Sequence, residues 1–339
     1  MDRTGDPTTL HDFEQRLGRD LLRGVSRSFY LSLRLLPAQV RGPISLAYLL
    51  ARVSDTLADS GNVAAEKRRE ELGRFWKELE RRAGEKGAIA GGSQQRDSGG
   101  PHEDCDAPSR DSVRASRIDY ADFCAEHKAE NELLRRAPGV LAWFWSVGGF
   151  ERSVIRRMMS HIIEGQTEDI ERTSIESPEQ LDRYIFQVAG CVGQFWTRLC
   201  AAKLSSFTRL PVDELEMIGI DFGKGLQLIN ILRDVPRDAI IGRSYLPGVF
   251  PNASPETRWE AAQPWIKRCR QFLEAGRCYA GRIRGFRCRM AVWLPLLLGW
   301  ETLGLIENSG PAAMAAPVKV PRRRMKWIMA QAAANALGR

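Results

Sequence analysis

Two acidic pairs share one spacing: Asp55-Thr56-Leu57-Ala58-Asp59 and Asp234-Val235-Pro236-Arg237-Asp238. On an α-helix, carboxylates four residues apart lie on one face, one turn apart. The polar stripe extends upstream in both segments, through Tyr48 and Arg52 in the first and through Gln227 and Asn230 in the second. Two such stripes facing each other make an acidic cage. Hard oxygen ligands of this kind suit Mg2+ holding a substrate phosphate. A lone acidic pair is more often a solvated helix face. The flanks argue otherwise here, because residues 43–54 and 222–232 are mostly apolar. Carboxylates ending such helices are expected to point into an interior or cleft. There they need a metal or a cationic partner.

Elements must carry these pairs, and the chain reads as all-α: helix-period segments dominate and strand signals are nearly absent. A first helix is expected over 12–25. Pro37 opens a long one ending at Asp59, since proline fits a first helical turn. Further helical patterns cover 63–82, 118–165, 177–204, 212–232, a segment starting at Ser254-Pro255-Glu256, and 322–337. Pro236 is expected to kink or end its helix. Residues 1–11 read as a flexible N-terminus and 12–339 as one domain. Within it, 84–116 is Gly/Ser-rich and poor in apolar residues, the composition of a disordered insert.

Composition narrows the classes. The 339 residues are 43% apolar, enough for a sizeable core, and carry a net charge of +8. A basic surface meets nucleic acid, an anionic membrane or an anionic substrate. No zinc-finger spacing or long basic run supports nucleic acid. The seven cysteines lack C-x-x-C spacing, and the first ten residues lack an apolar core, so a cytoplasmic setting with reduced thiols is expected. Residues 291–299 are the most apolar stretch, too short to span a bilayer and interrupted by Pro295. Peripheral contact with a membrane surface stays open. No G-x-G-x-x-G is present, which argues against a Rossmann dinucleotide site.

Taken in order, six segments resemble the squalene and phytoene synthases, the head-to-head trans-prenyl transferases. They are Ser26-Arg-Ser-Phe-Tyr30, Tyr48-Leu-Leu-Ala-Arg-Val-Ser-Asp-Thr-Leu-Ala-Asp59, Tyr184-Ile-Phe-Gln-Val-Ala-Gly-Cys-Val-Gly193, Gly225-Leu-Gln-Leu-Ile-Asn-Ile-Leu-Arg-Asp-Val-Pro-Arg-Asp238, Gly242-Arg-Ser-Tyr-Leu-Pro247 and Pro317-Val-Lys-Val-Pro-Arg322. The resemblance spans residues 20–330 apart from the insert. It implies a helical prenyl-synthase fold around a deep cavity, with two aspartate motifs at its mouth. It also implies Mg2+ and the joining of two prenyl diphosphates, farnesyl diphosphate for squalene. By the resemblance Asp55, Asp59, Asp234 and Asp238 hold metal, and Arg52 and Arg233 clamp phosphate oxygens. Ser26, Arg27, Ser28, Tyr48, Gln227 and Asn230 line the diphosphate sites. Tyr184 assists the first half-reaction, where the alternative is an ordinary core tyrosine. Phe29 and Tyr48 are candidate cavity aromatics, whereas Phe286 aligns loosely and reads as core. Gly190 and Gly193 serve close helix packing or make room for a prenyl chain. The chain departs from the family pattern at Ala58, Pro236 and Arg237, which implies either weaker metal binding or one aspartate that does not touch the metal directly.

The favoured reading is a squalene-forming enzyme, because residues 317–322 resemble the basic segment placed near the NADPH phosphate, with Lys319 and Arg322 as its cations. The alternative for that segment is a plain basic helix start. Phytoene, dehydrosqualene or presqualene diphosphate formation are the alternatives within the family. Outside it stands a non-catalytic prenyl-lipid binding subunit, against which the four intact aspartates argue. The oligomeric state is not legible in the sequence.

Overall fold

The structure, a computed structural model, describes residues 21–25, 29–81, 120, 123 and 127–338. The expected flexible N-terminus and the insert at 84–116 lie outside these residues, as do Ser26, Arg27, Ser28 and the side chain of Phe29. The described residues fold as helices and contain only two isolated β-bridges. The helices are α1 (Phe29–Leu35), α2 (Ala38–Asp59), α3 (Ala65–Glu80), α4 (Lys128–Arg135), α5 (Ala137–Ser146) and α6 (Gly149–Ile170). They continue as α7 (Pro178–Ile185), α8 (Cys191–Lys203), α9 (Val212–Ile240), α10 (Pro255–Arg282), α11 (Phe286–Ser309) and α12 (Arg322–Leu337).

Local chemistry sets several boundaries. Ser177 and Ser254 are N-caps whose hydroxyls accept the amides of Gln180 and Thr257, each at 3.2 Å, with proline following in the first turn. Helix α2 is apolar nearly all round and is correspondingly enclosed: Val40, Leu46, Leu49, Leu50, Val53 and Leu57 are fully buried. It packs against α6, while α9 packs against α8 and α10. The α8–α9 contact is close because glycines face backbone. A Cβ on Gly193 would stand 2.0 Å from the Gly219 carbonyl oxygen, and one on Gly223 would stand 2.4 Å from the Ala189 oxygen. Gly193 therefore serves helix approach rather than space for a chain. Gly190 belongs to the same contact, its Cβ position being 3.3 Å from Ile220.

Four expectations are corrected. Helix α9 does not end at Pro236 but runs on to Ile240. Proline removes one amide from the ladder, and burial of Val235 and Pro236 holds the last turn in place. The segment expected as one helix over 177–204 is two, α7 and α8, joined by a wider π-helical turn at Phe186–Gly190. In it the Cys191 thiol donates to the Gln187 carbonyl at 3.0 Å. Phe286 is not core: as the first residue of α11 it is 43% exposed. Finally, Phe286–Met314 is long and apolar enough by composition to cross a membrane, although half of its most apolar window is buried. It packs against α1, α10 and α12, so its apolar character is at least partly that of an interior helix.

Candidate active site

Each aspartate pair sits in the last two turns of a helix, and its spacing of four puts both carboxylates on one face. Helix α2 ends at Asp59 and α9 ends two residues past Asp238. The arginine preceding each pair is engaged with it. Arg52 donates to Asp55 and, through its other terminal nitrogen, to Glu130 of α4. Arg233 forms a two-pronged bond to Asp234, at 2.9 and 2.6 Å. A planar guanidinium matches a carboxylate in this way. Both arginines thus begin as partners of the acids, and meeting a phosphate requires an exchange of partner.

The ends of α2 and α9 are linked through a third element. The loop after α9 lies against the loop after α6: the Ile175 amide donates to the Ser244 carbonyl, and the Ser244 amide to the Thr173 carbonyl, both at 2.9 Å. Gly242, at φ +71°, makes the turn that starts this loop. Asp169, near the end of α6, accepts the Tyr245 hydroxyl at 2.8 Å, and Arg243 approaches the same carboxylate oxygen at 3.5 Å. Arg243 also donates to the Tyr245 hydroxyl at 3.1 Å. The Tyr245 ring stacks on Tyr184, with centroids 5.4 Å apart and an interplanar angle of 24°. The Arg172 guanidinium lies 5.4 Å from the Tyr184 ring centre.

The charges of Asp169 and Arg243 reach one aspartate of each pair, Asp59 and Asp238. Desolvation, followed by the charges of Asp55 and Asp169, raises Asp59 to about 7. Asp238 is raised to about 6 by desolvation and then by Asp234, with Asp169 adding to it. Arg243 opposes both shifts. Desolvation also raises Asp55, against the pull of Arg52. The Tyr184 hydroxyl is pushed well above its ordinary range by burial and then by Asp169, Tyr245, Asp59 and Asp55, which keeps it protonated. Asp59 remains open to solvent, as the mouth of a cleft requires.

Among the described residues, no three acids, histidines or cysteines converge closely enough to hold a metal on their own. The donor set is instead two carboxylate pairs, each crowded by like charge. A divalent cation suits such a set when phosphate oxygens complete its shell, so the residues fit Mg2+.

The remaining expected residues divide. Gln227 is half-buried and Asn230 exposed on α9, in the turns before Asp234. The Tyr48 hydroxyl donates to the Val25 carbonyl at 3.4 Å, a long bond. Lys319 and Arg322 are exposed beside the start of α12. Neither lines the two described cavities. One cavity, of about 10 Å³, holds space for a single water under Asp238, Arg243, Tyr245 and Arg258. The other, of about 680 Å³, opens between α7, α9 and α10 over Leu181, Ile185, Phe186, Leu228, Trp265 and Phe272. None of the four aspartates lines that larger cavity, so it is not the one expected beneath them. Sequence reasoning missed Glu130, Asp169 and Arg172, which stand in no repeated pattern. Arg243 and Tyr245 lay inside a matched segment but were given no role.

Three relatives bear on this arrangement. The chain is 26% identical to a 15-cis-phytoene synthase of Synechococcus elongatus over 86% of its own length and 83% of that protein. It is 30% identical to a presqualene diphosphate synthase of Rhodopseudomonas palustris over 50% of this chain and 62% of that one. A solved structure of TcSQS with a bound ligand superposes with a TM-score of 0.72 at 20% identity, covering 96% of this chain and 89% of that one. That structural likeness shows the helical fold. The squalene/phytoene synthase family profile matches residues 22–327, which include both aspartate pairs and Tyr184, and the chain belongs to this family of head-to-head prenyltransferases.

Proposed function

We propose that this protein joins two farnesyl diphosphates head to head to form presqualene diphosphate, with Mg2+ as cofactor. The observation that carries the reading is Asp169 with Arg243, whose charges reach one aspartate at each helix end, beside the buried Tyr184 stacked on Tyr245. Mg2+, when bound, would supply charge neutralisation as the first diphosphate departs, the second being retained in the product. Asp55 and Asp59 would hold it at one helix end, Asp234 and Asp238 at the other. Arg52 and Arg233 exchange a carboxylate for a phosphate oxygen when substrate arrives. Arg243, between the pairs, offers a fixed guanidinium to the same charge. The Tyr245 ring, stacked on Tyr184, is the aromatic surface that would favour an allylic cation. The proton lost as the cyclopropane closes goes to an oxygen of the departed diphosphate, and the Tyr184 hydroxyl, itself held protonated, relays it.

A second reading continues to squalene with NADPH. It rests on the resemblance of residues 317–322. Lys319 and Arg322 stand exposed and line neither cavity, so the described cavities give them no place beside a substrate. Incubation with farnesyl diphosphate and Mg2+, with and without NADPH, followed by mass spectrometry of the extract, separates the readings. Presqualene diphosphate under both conditions supports the proposal, and squalene appearing only with NADPH supports the second. Phytoene from geranylgeranyl diphosphate, with farnesyl diphosphate inert, would overturn both.

A further inference from the structure

We propose that Asp169 is the positioning residue that ties the two halves of the cleft together. The role rests on the head-to-head reading above. One of its oxygens, Oδ2, engages both Tyr245 and Arg243, while Oδ1 is buried without a hydrogen-bond partner. Tyr245 in turn lies flat on Tyr184, whose ring Arg172 also flanks. Arg243 acts on Asp59 at one helix end and on Asp238 at the other. One carboxylate therefore sets the register of a proton-handling tyrosine and of the cation that both aspartate pairs share.

The backbone around it is held independently. The paired amides of Ile175 and Ser244 fasten the two loops, and the Arg243 amide donates to the Asp238 carbonyl at 2.8 Å. Loss of the Asp169 charge should then leave the fold standing and loosen only the side chains. Tyr245 would lose its acceptor, and Arg243 would swing toward Asp59 or Asp238. Small misplacements of reacting groups cost up to about a hundredfold in rate.

The test uses Asp169→Asn, Asp169→Glu and Tyr245→Phe in the full chain. Thermal melting, kcat and KM with farnesyl diphosphate are measured, together with calorimetric binding of inorganic diphosphate in Mg2+. Asp169→Asn should melt within a few degrees of wild type, lose about 10- to 100-fold in kcat and bind inorganic diphosphate about tenfold more weakly. Asp169→Glu should recover diphosphate binding, because it restores the charge. Tyr245→Phe should matter far less in the Asp169→Asn background than alone, since both sever one chain of contacts. Unchanged kcat and diphosphate affinity in Asp169→Asn would overturn the proposal. So would losses that simply multiply in the double variant, or a loss that tracks the fall in melting temperature and vanishes on cooling. Should Asp169→Asn fail to fold, Tyr245→Phe and Arg243→Lys read the same chain from its other end, and wild-type behaviour in both overturns it. A wild-type enzyme that consumes no prenyl diphosphate would sink the head-to-head reading, whereas the diphosphate titration would still judge Asp169.

Discussion

Asn at position 59 should stabilise the metal-free protein while disabling it. The Asp59 carboxyl stands at about 7 rather than its ordinary 3.8, because desolvation, Asp55 and Asp169 all disfavour its charge. Below the ordinary value the carboxyl is protonated whether the chain is folded or not, and it adds no pH dependence. Between 3.8 and about 7 the folded chain keeps a proton that the unfolded chain has released, so stability falls as pH rises. Above about 7 both states are ionised and the full penalty is felt. Full burial would make that penalty about 4 kcal/mol, at 1.36 kcal/mol per tenfold step. Asp59 is open to solvent, so screening reduces it to about 1 kcal/mol. For a chain of this size that is a shift of about 1.5 °C in melting temperature. Asp59→Asn should therefore melt about 1.5 °C above wild type at pH 8 in EDTA and level with it near pH 4. Adding Mg2+ should raise the wild type and leave the variant behind, because a ligand stabilises only the state that binds it. Differential scanning calorimetry across this pH range makes the comparison. A variant that melts at or below the wild type at pH 8 in EDTA would refute the crowded-carboxylate reasoning.

Three further outcomes are expected. Asp234→Ala should lower turnover by orders of magnitude with an unchanged far-ultraviolet circular dichroism spectrum; near-wild-type turnover would remove this residue from the metal cage. Tyr184→Phe should slow farnesyl diphosphate consumption equally with and without NADPH, since it keeps the ring and removes the proton-handling hydroxyl, and a defect seen only with NADPH would move its role to a later step. Gly193→Ala should cost at least about 1–3 kcal/mol in denaturant unfolding, because its methyl would collide with the Gly219 carbonyl, a backbone group that no rotamer change can clear.

The helical class, the caps at Ser177 and Ser254, and the placing of two aspartates on one face of each motif helix follow from local rules. A helix repeats every 3.6 residues, so residues four apart share a face, and a serine N-cap followed by proline in the first turn satisfies the orphan amides locally. The placing of Asp55, Asp59, Asp234 and Asp238 at helix ends was legible too, because each pair closes a mostly apolar helical run. The course of α9 through Pro236 was not, because the penalty of a missing amide is local while the burial that outweighs it comes from neighbouring helices. Nor was the link between the cleft's two halves. Asp169 meets Arg243 and Tyr245 across 74 and 76 positions of sequence. No periodicity reaches that far, and only the packing of α6 beside the loop after α9 brings a carboxylate, a guanidinium and two tyrosine rings within bonding distance.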